Sequence, residues 1–156
     1  MEQLLVGLLL WISQHSEFEY KQEMVLPTIE QVSSLELAAL YIGKDNKAQG
    51  YLTQDDKSDV YQNLAANLEA FYDPELNIIY LGEKIALESD YGRAVIVHEL
   101  VHFLQKTHNH RAKVDCKNAL EKDAYFIQEA YMKAHNLTPS FNGFTVLTRS
   151  LCGHPY

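Results

Sequence analysis

Gly92-Arg93-Ala94-Val95-Ile96-Val97-His98-Glu99-Leu100-Val101-His102-Phe103-Leu104-Gln105 is the stretch that decides how this chain is read. It sets His-Glu-x-x-His inside a run that is otherwise almost wholly apolar. An α-helix turns about 100° per residue, so His98 and His102, four apart, lie one turn above the other on a single face. Two imidazoles stacked in this way can bind one metal ion. Glu99 sits beside that face, where its carboxylate can reach a water on the metal and take its proton.

The residues around the motif support a buried helix. Ala94, Val95, Ile96, Val97, Leu100, Val101, Phe103 and Leu104 leave it no polar face. Two histidines and a glutamate are costly to bury without partners, and a metal supplies partners. Ser89-Asp90 is an N-cap signal upstream, and Asn109 offers an end. The plain alternative is a pair of core histidines with ordinary hydrogen bonds.

The chain has 156 residues, a length that predicts one domain over 1–156 burying roughly two-thirds of its unfolded surface. Its composition, 47% hydrophobic and 22% charged, is that of a globular protein, and no repeat, linker or low-complexity run divides it. The net charge of −8 argues against nucleic acid, because phosphate binding needs clustered Lys and Arg. It disfavours an anionic membrane surface as well. The apolar run Leu4 to Ile12 is too short to span a bilayer. Glu2 before it and Ser13-Gln14-His15-Ser16-Glu17 after it are wrong for a signal peptide, so it is read as a buried first helix. Cys116 and Cys152 permit one disulfide, and two reduced thiols fit equally.

Along the rest of the chain, Phe18, Tyr20 and Met24 alternate with charged residues and suggest a half-exposed strand. Pro27 to Val32 reads as a second strand with the proline at its start. Ser33-Ser34-Leu35-Glu36 is a capping box opening a short helix, Leu35 to Ile42, ended by Gly43. Lys44 to Lys57 is polar and reads as loop, and Val60 to Asn67 fits helix or strand. Leu68 to Tyr72 and Asn77 to Leu81, joined by Asp73-Pro74-Glu75-Leu76, read as a hairpin. A strand beside an active-site helix can offer its edge to an extended peptide. In the stretch Ala112 to His135, Leu120, Ala124, Ile127, Ala130, Tyr131 and Ala134 recur at helical spacing, with Asn136 and Pro139 ending the helix. Ser140 to Tyr156 has apolar residues to bury but no assignable form. The class is α+β: a small mixed or antiparallel sheet, the buried motif helix, and a following helix that carries a glutamate.

A catalytic zinc site takes three protein ligands and keeps a fourth position open. Two candidates compete to join His98 and His102. Glu121 opens the later helix, with Ala124 three residues on and on the same face; a small residue there lets the two helices approach. His108 has the spacing of the motif His-Glu-x-x-His-x-x-Gly-x-x-His. The glycine of that motif, which lets the helix stop and the chain turn back, is Gln105 here. If the helix runs on, residue 108 lies about 240° around from residue 102 and faces away. Glu129, Asp115 and Asp123 are further acids within the same stretch. His15, His110, His135 and His154 lie in polar contexts and read as surface. Tyr72, Tyr80, Tyr125, Tyr131 and Tyr156 read as packing residues; one of them, or His135 or His154, could serve as an oxyanion donor, and the sequence does not choose among them.

From Phe71 to Tyr131 the chain resembles the gluzincin metallopeptidases, the thermolysin-like clan, and particularly their minimal-core members. It is also similar to a group of uncharacterised bacterial domains with Val-His-Glu-Leu-Val-His-Phe-Leu-Gln and Cys-Lys-Asn-Ala-Leu-Glu-Lys-Asp-Ala-Tyr stretches. The resemblance implies His98, His102 and Glu121 as zinc ligands and Glu99 as general base. It also implies a zincin-like core and hydrolysis of extended peptide or protein substrates through a metal-bound water. One departure is Tyr125, four after the glutamate, where thermolysin has an aspartate that supports a ligand histidine. The other expectations carried forward are a zinc-binding sensor or interaction domain without turnover, a metal hydrolase acting on something other than peptide, and a metzincin-type site with His108. Export is suggested by the resembling domains and permitted by the cysteine pair, although no signal is visible; a cytoplasmic location fits too.

Overall fold

Ser89 accepts a hydrogen bond from Gly92 N at 2.9 Å and opens the longest helix of the protein's described residues, Asp90–Thr107. The computed structural model describes residues 1–44 and 54–152, and the chain divides into two compact units, Met1–Pro27 with Leu87–Tyr156, and Thr28–Ala86. The fold is mixed α+β.

The first unit is helical. Its elements are α1 (Glu2–His15), α4 (Asp90–Thr107), α5 (Glu121–Ala134) and α6 (Gly143–Ser150), with two short 3-10 turns, His110–Lys113 and Lys117–Leu120, between α4 and α5. α2 (Ser34–Lys44) and α3 (Gln54–Asn67) belong to the second unit. As the apolar run predicts, α4 is buried on nearly all sides, with Ala94, Ile96, Val97, Leu100, Val101 and Leu104 fully sequestered. Removing each of its large aliphatic side chains from water stabilises the fold by roughly 1.5–3 kcal/mol. α1 and α5 both pack on α4, and α6 packs on α5. α1 contributes Leu5, Leu8, Leu9 and Ile12 but leaves Leu10 about half exposed, so it is one-sided rather than wholly buried.

α4 stops where Asn109 enters the left-handed region at φ 54°, a conformation asparagine tolerates better than most residues. Asn136 does the same after α5, at φ 57°. Cys116 and Cys152 form a disulfide that ties the 3-10 turn before α5 to the end of α6.

The second unit holds β1 (Thr28–Val32), α2 (Ser34–Lys44), α3 (Gln54–Asn67), β2 (Ala70–Asp73) and β3 (Ile78–Gly82). Its sheet is mixed, in the order β1-β3-β2, with β1 parallel and β2 antiparallel to β3. Leu37, Phe71 and Tyr80 form its apolar centre. The hairpin turns as expected: Asp73 Oδ1 accepts from Glu75 N and Leu76 N, and Asn77 takes φ 58°.

Several expectations are corrected. Residues 18–24 form no strand; Tyr20 N bonds to Ser13 Oγ at 2.8 Å rather than to a ladder. Gly43 does not end its helix, since α2 runs through it to Lys44 without any positive-φ glycine. The capping box is half made, with Glu36 N bonded to Ser33 Oγ. The polar stretch read as loop already belongs to α3 from Gln54; its part at 45–53 lies outside the described residues. Val60 to Asn67 is helix. Of the two hairpin arms, β3 is paired on both sides and β2 is an outer strand. The unassigned C-terminal stretch contains α6, capped by Asn142.

Candidate metal centre

α4 presents His98 and His102 one turn apart, and the first residue of α5 brings Glu121 to both. The two imidazole Nε2 atoms stand 3.2 Å apart. Glu121 Oε2 lies 3.3 Å from His98 Nε2, and Glu121 Oε1 lies 3.4 Å from His102 Nε2. One ligand atom from each of these three residues falls within 4.8 Å of the others. Zinc bound at about 2.0–2.1 Å in a tetrahedral site separates neighbouring ligand atoms by about 3.3–3.4 Å. The two imidazole nitrogens, and each imidazole with its nearer carboxylate oxygen, stand at about that spacing; the two contacts use different oxygens of Glu121, so a small turn of the carboxylate would bring one oxygen to an ion held between the rings. Two imidazoles and a carboxylate also leave one tetrahedral position to be filled from solvent. The Glu121 and His102 side chains, 29% and 18% exposed, give that position access.

Both rings are held from behind. His98 Nδ1 lies 3.0 Å from Gln128 Oε1, and His102 Nδ1 lies 2.8 Å from Gln105 Oε1. Gln105 Nε2 donates to Leu120 O at 2.8 Å, which fixes which end of the amide faces His102. His102 Nδ1 must then be the donor, and its Nε2 is left to face the cluster. Gln105 and Gln128 are almost fully buried, so these bonds are not traded for water. Leu120 is the residue just before Glu121, so one glutamine side chain locks the orientation of His102 and the backbone beside Glu121.

The electrostatics follow from the same contacts. Burial disfavours a charged His102, but the hydrogen bond and negative charge of Glu121, with Glu99 and Gln105, outweigh it and raise the ring's pKa to about 9. Burial pushes Glu121 up, but hydrogen bonds from His102 and His98 and their charges hold it well below the usual carboxylate range. Without an ion, a proton between imidazole and carboxylate holds the cluster together; an ion takes the place of that proton. Glu121 also lies in the first turn of α5, where the helix dipole favours an anion.

Glu99 is buried, and its charge is felt by both His102 and Tyr125. The Tyr125 ring packs edge-on against His98 with centroids 4.6 Å apart. Its hydroxyl accepts a hydrogen bond from Arg149 of α6. Burial raises the Tyr125 pKa, with Arg149 opposing.

The competing residues lie elsewhere. α4 runs on past Gln105, and His108 Nε2 pairs with Glu19 O at 2.8 Å. Glu129 pairs with Lys133, Asp115 is exposed and Asp123 is half-buried; none of these joins the cluster. His15 stacks on Trp11, His110 packs against Phe18, and His135 stacks on Tyr131. His154 and Tyr156 lie outside the described residues.

The sequence reading missed Gln105 and Gln128. A signal for each was present: Gln105 is three residues after His102 on the same helix, and Gln128 is seven after Glu121, two turns along the same face. An amide within each apolar stripe has a partner to find. Gln128 thus meets His98 Nδ1 from one turn beyond Tyr125 along the helix.

A protein-family model described as "Domain of unknown function (DUF6647)" matches residues 1–155. No curated protein and no solved structure matches the chain. No helix among the described residues is long and apolar enough to cross a membrane.

Proposed function

The chain belongs to the DUF6647 family, and from the geometry of its own residues we propose that it is a zinc-dependent peptidase of gluzincin type. The observation that carries this reading is the set of separations among His98 Nε2, His102 Nε2 and the Glu121 carboxylate, 3.2, 3.3 and 3.4 Å. A buried glutamate, Glu99, follows the first ligand directly.

Zinc, when bound, supplies a Lewis acid that lowers the pKa of a water toward about 7. The remaining work falls to side chains. Glu99 accepts the proton of the attacking water on its carboxylate and returns it to the departing amine nitrogen. Gln105 would keep a proton on His102 Nδ1 and so leave its Nε2 to hold the ion, and Gln128 faces His98 Nδ1 in the same position. Tyr125, kept protonated by burial, holds an O–H at the wall beside His98.

The test is elemental analysis of the purified protein together with a peptide-cleavage screen, run on wild type and Glu99→Gln. One zinc per chain in both, with cleavage lost by at least about 100-fold in the variant, is the expected result. Zinc without cleavage of any peptide would favour a non-catalytic sensor or interaction domain. Equal cleavage by both proteins would remove Glu99 from the role of base.

A further inference from the structure

We propose that Arg149 is a substrate-recognition residue that makes this site select peptides presenting a carboxylate, from an acidic side chain or from the chain terminus. The proposal rests on the peptidase reading above and adds a specificity to it.

Three observations carry it. Arg149 reaches the site wall from α6, with its Nη1 donating to the Tyr125 hydroxyl and its guanidinium carbon 5.5 Å from the Tyr125 ring centroid. That ring in turn lies against the ligand His98, 4.6 Å between centroids. The guanidinium therefore stands one aromatic ring away from the metal centre. Tyr125 is also the residue one turn along α5 from Glu121, so the arginine flanks the ligand cluster on the side that α6 covers.

The second observation is donor arithmetic. A guanidinium carries five N–H donors in a planar fork. One contact to a phenol oxygen leaves most of that fork, and Arg149 is exposed at the surface. A carboxylate is the group whose two oxygens match such a fork. A tyrosine already pinning one nitrogen restricts the arginine's rotamers, so less entropy remains to be lost when a ligand docks.

The third is charge. With zinc present the two carboxylates Glu99 and Glu121 cancel the ion's two positive charges, and Arg149 leaves the site with one net positive charge. The chain as a whole carries −8. A local positive charge in an acidic protein draws an anionic group to that place and discourages a cationic one.

The experiment uses the zinc-loaded full chain and two sets of matched peptides. One set compares Asp or Glu with Asn or Gln in peptides with amidated termini; the other compares free with amidated C-termini in peptides without acidic residues. Each is measured for kcat/KM and, separately, for equilibrium binding by calorimetry, in wild type, Arg149→Gln and Arg149→Lys. Wild type should favour the carboxylate peptide about tenfold or more in at least one set, and that set identifies the source. Arg149→Gln should bring the ratio toward one, and Arg149→Lys should keep part of it.

If Arg149 only props Tyr125, Arg149→Gln will lower charged and neutral peptides alike and leave the ratio unchanged; that result overturns the proposal. So does a wild type indifferent to the carboxylate. Carboxylate-dependent binding without cleavage would uphold Arg149 and count against the peptidase reading. Cleavage without carboxylate preference would do the reverse.

Discussion

Gln105 Oε1 accepts a hydrogen bond from His102 Nδ1 while Gln105 Nε2 donates to the carbonyl of Leu120, both at 2.8 Å. One buried amide thus couples the second histidine of the motif to the backbone that delivers Glu121. The helix pair is held in register at the point where Glu121 meets His98 and His102.

Replacing Gln105 by leucine removes both bonds. Zinc affinity should fall about 10–100-fold, read by competition with a chelator of known affinity. The buried Leu120 carbonyl loses its partner too, so stability of the metal-free protein should drop by about 1–3 kcal/mol. Unchanged zinc affinity would show that His102 needs no support from behind.

Metal uptake should expel a proton. His102 in the metal-free cluster has its pKa raised to about 9, so at pH 7–8 the ring is protonated and must release that proton before its Nε2 can bind an ion. Apparent zinc affinity should fall about tenfold for each pH unit below 9 for the one proton displaced. Titration calorimetry in buffers of different ionisation enthalpy counts that proton directly. The metal-free protein should show the complementary stability profile. A raised histidine pKa contributes stability that is full below about 6.5, the unfolded value, and is lost as pH rises through about 9. The lowered Glu121 contributes above its unfolded value of 4.5 and loses that contribution as pH falls through its depressed folded pKa. The contribution from this ion-pair cluster is therefore greatest between about pH 4.5 and 6.5. Thermal melts of metal-free protein against pH check this, and zinc should flatten the alkaline limb.

The parts of this arrangement that could be read in the sequence are those set by local periodicity. Two histidines four apart in an apolar run fix a shared helix face, and Ser89 and Asn109 fix where that helix begins and ends. The Asp73-Pro74 turn fixes the hairpin by the same kind of local chemistry. What could not be read depends on contacts distant in sequence. The Gln128–His98 bond spans 30 residues. Arg149 meets Tyr125 across 24 residues, through a helix whose apolar content gave no form. The strand expected around Tyr20 failed because alternation alone does not make a strand. It needs a partner ladder, and Ser13 captured the Tyr20 amide instead.

Removing the disulfide should cost stability and disturb the site from one side. Cys116 and Cys152 close a loop of 36 residues that contains all of α5 and α6. Chain entropy assigns such a crosslink about 3–4 kcal/mol. The paired Cys116→Ser, Cys152→Ser variant should unfold at correspondingly lower denaturant concentration, and wild type should match it when reductant is added. A variant as stable as wild type would mean that the crosslink does not stabilise the fold by restricting the unfolded chain.

Ala124 tests how closely α4 and α5 must approach. It has no solvent exposure and lies on the face of α5 from which Glu121 and Gln128 reach the histidines of α4. Ala124→Leu adds three carbons where the two helices meet. Relief by moving α5 outward shifts Glu121 and Gln128 together, because both are fixed to that helix. Overpacking of this kind costs about 1–3 kcal/mol. A shift of about 1 Å is a large fraction of a zinc–ligand bond of about 2 Å, so the metal site should suffer more than the fold. The expected result is a modest loss in melting temperature with a loss of zinc affinity of tenfold or more. Ala124→Ser, close in volume, should bind zinc within about threefold of wild type. If the leucine variant binds zinc as tightly as wild type, the helix pair has slack, and the close approach at Ala124 does not position Glu121.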